Sequence, residues 1–224
     1  MFNLNIIVNR EAQKNKKNSQ NKQKETCQKD DLTGRSFFWE LVKTVVLAIL
    51  IVAPIKIFII QPFFVHGASM EPNFHDGDYL IVKELGYKTT VVEAGEKEFF
   101  TVKPYKNIKR GEVIVFRNPN NQKQFFIKRV IGLPGEKVVI AQGRVYIYND
   151  EHPEGFLLDE KEYLPSKVFT SHPRTFQLKD NQYVVLGDNR GNSSDSRYWG
   201  ILDGDLIIGK VSLRAWPLGS FKIF

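Results

Sequence analysis

The hydrophobic pattern of the chain changes character once. From Leu41 to Ile60 apolar residues follow one another around every face of a would-be helix, whereas beyond Gly67 they come in short runs broken by polar and turn-forming residues. Twenty helical residues rise ~30 Å, the thickness of a bilayer core, so the first stretch predicts a membrane span. Lys43 and Lys56 lie near its ends, where long side chains snorkel to the headgroups, and Pro54 loosens one turn. A buried helix of a soluble domain is the alternative, but such a helix would not place lysines near both ends of a run that is apolar all round. A cleaved signal peptide fits poorly, because its core is usually about 7–15 residues and its charged region shorter than this one.

After Gly67 the pattern predicts strands. Tyr79–Val82, Glu112–Phe116, Phe125–Ile131, Val138–Ile140, Val145–Tyr148, Tyr183–Leu186 and Leu206–Ile208 are rich in β-branched and aromatic residues, and most are bounded by Gly, Pro, Asn or Asp. Several are apolar at consecutive positions, as strands covered on both faces are. Gln142-Gly143 between two of them predicts a hairpin turn. No long helical period follows residue 65, and no internal repeat occurs. Gly86–Lys106 and Asp150–Asp180 read as excursions from the core, the second carrying Pro153, Pro165, Pro173 and many charges. The fold class expected is mainly β: an antiparallel β-sheet core with a small inserted excursion, preceded by one N-terminal transmembrane helix.

Composition alters this picture at the N-terminus. The chain has 224 residues and a net charge of +7, but the charge is uneven. Residues 1–35 hold eight Lys and Arg against four Asp and Glu, and after Val8 almost nothing apolar. Such a segment buries too little surface to offset its ordering entropy and is expected to be disordered. A nucleic-acid-binding arm is the alternative, but no aromatic residues interleave with its lysines, and no nucleic-acid partner is expected. The basic residues before the span set its orientation, N-terminus in the cytoplasm and the remainder outside. The single cysteine, Cys27, then lies inside, so no disulfide staples the outer part. No group of His, Cys or carboxylates has ligand spacing, so neither a metal nor a cofactor is expected. The organisation predicted is a basic cytoplasmic tail over 1–35, a transmembrane helix over 36–62, a β-rich core of 63–149 and 181–224, and an inserted loop or small subdomain over 150–180.

Three segments carry candidate chemistry. Ser69 follows the span at once, in Gly67-Ala68-Ser69-Met70-Glu71-Pro72. Lys128 lies in Phe125-Phe126-Ile127-Lys128-Arg129-Val130-Ile131-Gly132, crowded by apolar residues. The third segment, Gly187 to Arg197, is polar or charged at almost every position. A serine hydroxyl is a weak nucleophile until a base takes its proton, and a desolvated lysine can be that base. In water a lysine titrates near 10.4, leaving about one in 2,500 uncharged at pH 7, so burial has to lower that value by several units. The four histidines offer no obvious alternative base. Taken singly, Ser69 also reads as a turn residue, and Lys128 as a strand residue facing solvent by alternation.

Taken together, four blocks resemble bacterial type I signal peptidases over residues 37 to 217. They are the span with Gln61-Pro62-Phe63, the Gly67–Pro72 block, Phe126 to Glu136, and Gly187-Asp188-Asn189-Arg190 through Asn192 to Gly200. The resemblance implies a membrane-anchored serine endopeptidase that removes signal peptides from exported preproteins, cutting after small residues at positions −1 and −3, on the outer face of the cell membrane. It implies Ser69 as nucleophile, Lys128 as general base, Ser193 as the hydroxyl orienting that lysine, Asp195 and Arg197 as a supporting charge pair, and the Ser69 backbone N–H as an oxyanion donor. The implied partners are preproteins and the lipid bilayer. Two positions depart from the pattern. Gly191 stands where many relatives have an acid, and Gly67 where some have a serine able to donate to the oxyanion, so the second donor is left open. The chain also permits a self-cleaving serine–lysine repressor-type peptidase, which would be soluble, or a non-enzymatic membrane-anchored β module. Ser193 likewise admits a plain turn role beside Ser194 and Ser196.

Overall fold

The computed structural model describes residues 37–51, 60–88, 90–94, 97–102, 104–165 and 168–224. The expected tail over 1–35, with Cys27, lies outside the described residues, as do residues 52–59 of the expected span. Residues 37–51 form a helix, α1, that exposes Leu41, Val45, Leu47, Ile49 and Leu50. Among the described residues no helix is long and apolar enough to cross a membrane. By Ile60 the chain is already a strand, β1 (Ile60–Phe64), so the expected helical bound at residue 62 is too late. Backbone pairing overrides the apolar pattern there: β1 lies antiparallel to β2 (Tyr79–Lys83), with Phe64 opposite Tyr79.

The remaining strands are β3 (Thr90–Ala94), β4 (Lys97–Val102), β5 (Val113–Asn118), β6 (Asn121–Gly132), β7 (Lys137–Ala141), β8 (Arg144–Tyr148), β9 (Phe156–Leu157), β10 (Arg174–Gln177), β11 (Gln182–Leu186), β12 (Leu202–Asp203), β13 (Ile207–Trp216) and β14 (Lys222–Ile223). One short helix, α2 (Ser196–Trp199), follows β11. An eight-stranded sheet runs in the order β1-β2-β13-β5-β6-β11-β12, with β14 on β13. All its pairings are antiparallel. A four-stranded sheet has the order β10-β7-β8-β9, and β3 and β4 form a separate hairpin.

Each of the seven runs predicted as strands coincides with a strand, but Glu112 lies just before β5 and Leu206 ends a 3-10 turn before β13. The Gln142-Gly143 turn joins β7 to β8, with φ of +52° and +77°; left-handed values at both positions match the twist of the flanking strands. The inserted part begins earlier than residue 150. β7 and β8 leave the main sheet and pair with β9 and β10 from the 150–180 excursion. Their inward residues Val138, Ile140, Val145 and Ile147 pack with Phe176, Val184 and Leu186, so the small sheet is welded to β11 rather than hanging from it.

Two features of this topology prepare a site. The chain between β1 and β2 is a wide hairpin, closed by Val65 N–H donating to Asp78 O (2.9 Å) and Gly77 N–H donating to Val65 O (3.0 Å). Met70 and Phe74 are fully buried and join the cluster of Leu80, Val82 and Val113 beneath it. They pin the loop into the core and leave Ser69 half-buried at its rim. Meanwhile the pairing of β11 with β6 stops at Leu186 opposite Arg129, one residue short of Lys128. Lys128 therefore meets the loop that follows β11 instead of another strand.

Candidate active site

Lys128 is 4% exposed, and its Nζ lies 2.7 Å from Ser69 Oγ. The same nitrogen donates to the carbonyl of Ile127 at 2.7 Å. Alternation alone would have turned this lysine to solvent. It is buried because the Ser69 hairpin and the 187–197 loop close over this end of β6. Burial pushes its pKa down to about 8, against a smaller upward pull from Asp195 and Asp188. About one molecule in ten then has an uncharged amine at pH 7, roughly two hundredfold more than for a solvated lysine. An uncharged amine at hydrogen-bond distance from a hydroxyl is placed to take its proton.

The pair sits in a cleft of about 220 Å³ walled by Phe63, Val65, Leu80, Val115 and Ile127. A space this small and apolar accepts short apolar side chains beside Ser69. Among the described residues the Ser69 N–H makes no hydrogen bond, so it is free to donate to an oxygen on a reacting carbonyl. The N–H of Gly67 is already committed to Asp76 Oδ1 at 2.7 Å.

The polar loop 187–197 braces this arrangement from the other side. Asn189 N–H donates to Ser69 O (3.1 Å), and its side-chain amide donates to Ala68 O (3.0 Å). Asp195 and Arg197 form a fully buried, two-point ion pair at 2.8 Å, and Asp195 also accepts from Gly187 N–H at 3.0 Å. Arg197 donates onward to Arg190 O at 2.8 Å. A Cβ on Gly187 would lie 2.1 Å from Ser193 Oγ and 2.5 Å from the Ser69 carbonyl oxygen, so only glycine lets the loop approach this closely.

Ser69, Lys128, Asp195 and Arg197 are thus gathered within one network. Ser193 is brought to its edge: the amine bonds Ser69 and Ile127 rather than Ser193, whose buried Oγ has no hydrogen-bond partner among the described residues. Ser196 Oγ is occupied by Val185 N–H at 3.0 Å, and Ser194 is exposed on the rim of the apolar cleft. Sequence reasoning missed several braces. Arg129 grips Asp188 through two bonds of 2.8 and 2.6 Å, and Asn73 donates to the same carboxylate at 2.9 Å. Arg190 is paired with Glu160 and donates to Thr170 at 2.6 Å, and Tyr163 stacks on Arg129. The only sequence signal for these was a second buried cation beside Lys128 in need of an acid; its partner lies 59 residues away.

Comparison with known proteins adds an independent observation. Residues 38–216 match the family described as signal peptidase, peptidase S26. The chain is 34% identical over 201 residues to a probable signal peptidase I-2 of Synechocystis sp., covering 87% of this chain and 81% of that protein. It is 33% identical to signal peptidase IB of Staphylococcus aureus, over 82% of this chain and 92% of the relative. A crystal structure of a signal peptidase I from Enterococcus faecalis aligns with 48% of this chain and 98% of its own, at 30% identity and a TM-score of 0.39.

The close approach at Gly187 gives a direct test of the bracing. Gly187→Ala is expected to lower the free energy of unfolding by about 1–3 kcal/mol, the usual cost of forcing an extra carbon into a packed site. Chemical denaturation checks this, and an alanine variant as stable as the parent would mean the loop is free to move away from Ser69.

Proposed function

The chain belongs to the signal peptidase family, peptidase S26, and is a serine endopeptidase; on that premise we propose that it removes signal peptides from exported preproteins with Ser69 as nucleophile and Lys128 as general base. The observation that carries this reading is the 2.7 Å contact between a buried amine and a hydroxyl at the end of an apolar cleft. In our reading the uncharged amine takes the Ser69 proton as Oγ attacks the scissile carbonyl. The developing oxyanion is met by the Ser69 N–H. Lys128, now charged, gives its proton to the departing amine, and a water molecule completes the cycle by hydrolysing the acyl-enzyme. With Gly67 lacking a hydroxyl and its N–H committed to Asp76, the oxyanion depends on Ser69 N–H and solvent.

The preference for small residues at −1 and −3 is part of the same proposal, supported by the size and apolar walls of the cleft. Ser193 is assigned to steadying the Lys128 amine. It is favoured over its neighbours because its hydroxyl is buried and uncommitted, whereas Ser196 is occupied and Ser194 exposed. Asp195 and Arg197 support the loop. We further propose that the apolar stretch 41–60 anchors the protein in the cell membrane, with the N-terminus in the cytoplasm and the catalytic part outside. The support is the apolar surface that α1 presents and the basic excess before it.

Ser69→Ala and Lys128→Ala are each expected to abolish preprotein cleavage, and the double variant to be no worse than either, since the two act as a unit. Lys128→Arg is expected to be inactive, because a guanidinium does not deprotonate usefully. Ser193→Ala is expected to lower kcat by roughly 10- to 1,000-fold at nearly constant KM. Gel assays with detergent-solubilised protein check all five variants, and near-normal cleavage by either single dyad variant would overturn the mechanism. For topology, a cysteine at exposed Asp150 should react with an impermeant thiol reagent on spheroplasts while Cys27 stays unlabelled; the reverse pattern would invert the orientation.

A further inference from the structure

The inserted part of the chain reaches back to the dyad through one turn, Glu160 to Leu164. It is closed by the N–H groups of Tyr163 and Leu164, which donate to Glu160 O at 3.2 and 2.9 Å. Neither Glu160, Tyr163 nor Asn73 lines the apolar cleft beside Ser69. We propose that this turn governs the rate of the reaction by holding the segment that carries Ser69 and those that flank Lys128 in register. Glu160 and Asn73 are its positioning residues and touch neither the substrate nor the reacting atoms. The inference rests on the serine–lysine reading above.

Three contacts support it, one to each segment of the site. The first is to the nucleophile hairpin. The Asn73 side-chain amide donates both hydrogens, one to the Tyr163 carbonyl at 2.6 Å and one to Asp188 Oδ2 at 2.9 Å. Its backbone N–H donates to the carbonyl of Met70, the residue after Ser69, at 3.0 Å. One side chain therefore ties the nucleophile's own turn to the inserted part and to the polar loop at once. The second contact is to that loop. Glu160 meets Arg190 with both carboxylate oxygens, and the arginine Nε donates to the Gly187 carbonyl at 3.1 Å. Gly187 is where the loop leaves no room for a Cβ beside the Ser69 carbonyl. The third contact is to the lysine strand. The guanidinium of Arg129, next in sequence to Lys128, lies 4.1 Å from the centre of the Tyr163 ring. Burial and the Glu160 carboxylate push the Tyr163 hydroxyl pKa up, so it stays protonated and donates to Glu160 Oε1 at 2.9 Å. These bonds govern position more than folding. Met70 and Phe74 sit in the core, and Arg214 donates to the Asn73 carbonyl at 2.8 Å, so the hairpin keeps its anchors when the Asn73 amide is removed. What it loses is its register against the loop, and a misplacement of about 1 Å between reacting groups costs up to about 100-fold in rate.

The experiment uses the full chain in detergent with a preprotein substrate, and measures kcat and KM for Asn73→Ala and Glu160→Gln. Rates are divided by the folded fraction read from near-ultraviolet circular dichroism, which removes any loss due to unfolding alone. Asn73→Ala is expected to lower kcat about 10- to 100-fold at nearly constant KM, because the apolar cleft is untouched. The pH midpoint of its kcat is expected to match the parent's, since the substitution changes no charge. That separates displacement of the dyad from a change in the basicity of Lys128. Glu160→Gln is expected to act in the same direction. If buried Arg190, left without its carboxylate, keeps that variant from folding, Asn73→Ala decides alone. A parental kcat per folded molecule in Asn73→Ala, a loss confined to KM, or a loss explained by a moved pH midpoint would each overturn the proposal. A wild-type protein that leaves the preprotein uncut would instead end the signal-peptide reading, and a Ser69→Ala protein that still cuts it would end the dyad.

Discussion

Everything at the site depends on keeping one amine dry. A lysine at 4% exposure is costly to hold charged, and that cost lowers its pKa to about 8. Two carboxylates, Asp195 and Asp188, pull the other way. Each is gripped at two points by an arginine, Arg197 and Arg129 respectively. The guanidinium charges offset the carboxylate fields, so desolvation prevails at Lys128. The same arginines satisfy hydrogen-bonding groups that burial would otherwise strand. The polar loop and the apolar wall therefore serve a single electrostatic end.

Geometry follows from the same economy of parts. Met70 and Phe74 fasten the Ser69 hairpin from below, Asn189 fastens its carbonyls from the side, and glycine at 187 allows the loop to come near enough. The inserted excursion contributes as well. Glu160 and Thr170 hold Arg190, and Tyr163 lies over Arg129, so a segment remote in sequence stiffens the loop that stiffens the nucleophile. Small displacements of reacting atoms cost rate steeply, which gives such redundant bracing a physical purpose.

Much of this is legible in the sequence. Strands rich in Val, Ile and Tyr, such as Val145–Tyr148, announced themselves because packing on both faces demands those side chains. β13 was read only at its start, since Lys210, Ser212 and Arg214 interrupt its apolar pattern and its pairing is bulged. The first three residues of β1, 60–62, fall in the expected span because an apolar residue such as Ile60 suits lipid and a sheet alike. The inserted sheet was placed too late because β10 pairs with β7 across a gap of more than thirty residues, which local pattern cannot convey. At the site, Ser69 and Lys128 stood out by type and surroundings. Asn73, Asn189 and Glu160 did not, because a polar residue in a loop looks the same whether it faces solvent or closes over a buried carboxylate.

The central claim is that burial makes Lys128 a base near neutral pH. The most direct measurement is an NMR titration of the Lys128 side chain in the Ser69→Ala protein, in which turnover cannot consume the sample. The account predicts a midpoint of about 8, with the amine charged below it and uncharged above. A midpoint near 10.4, the value of a solvated lysine, would contradict it.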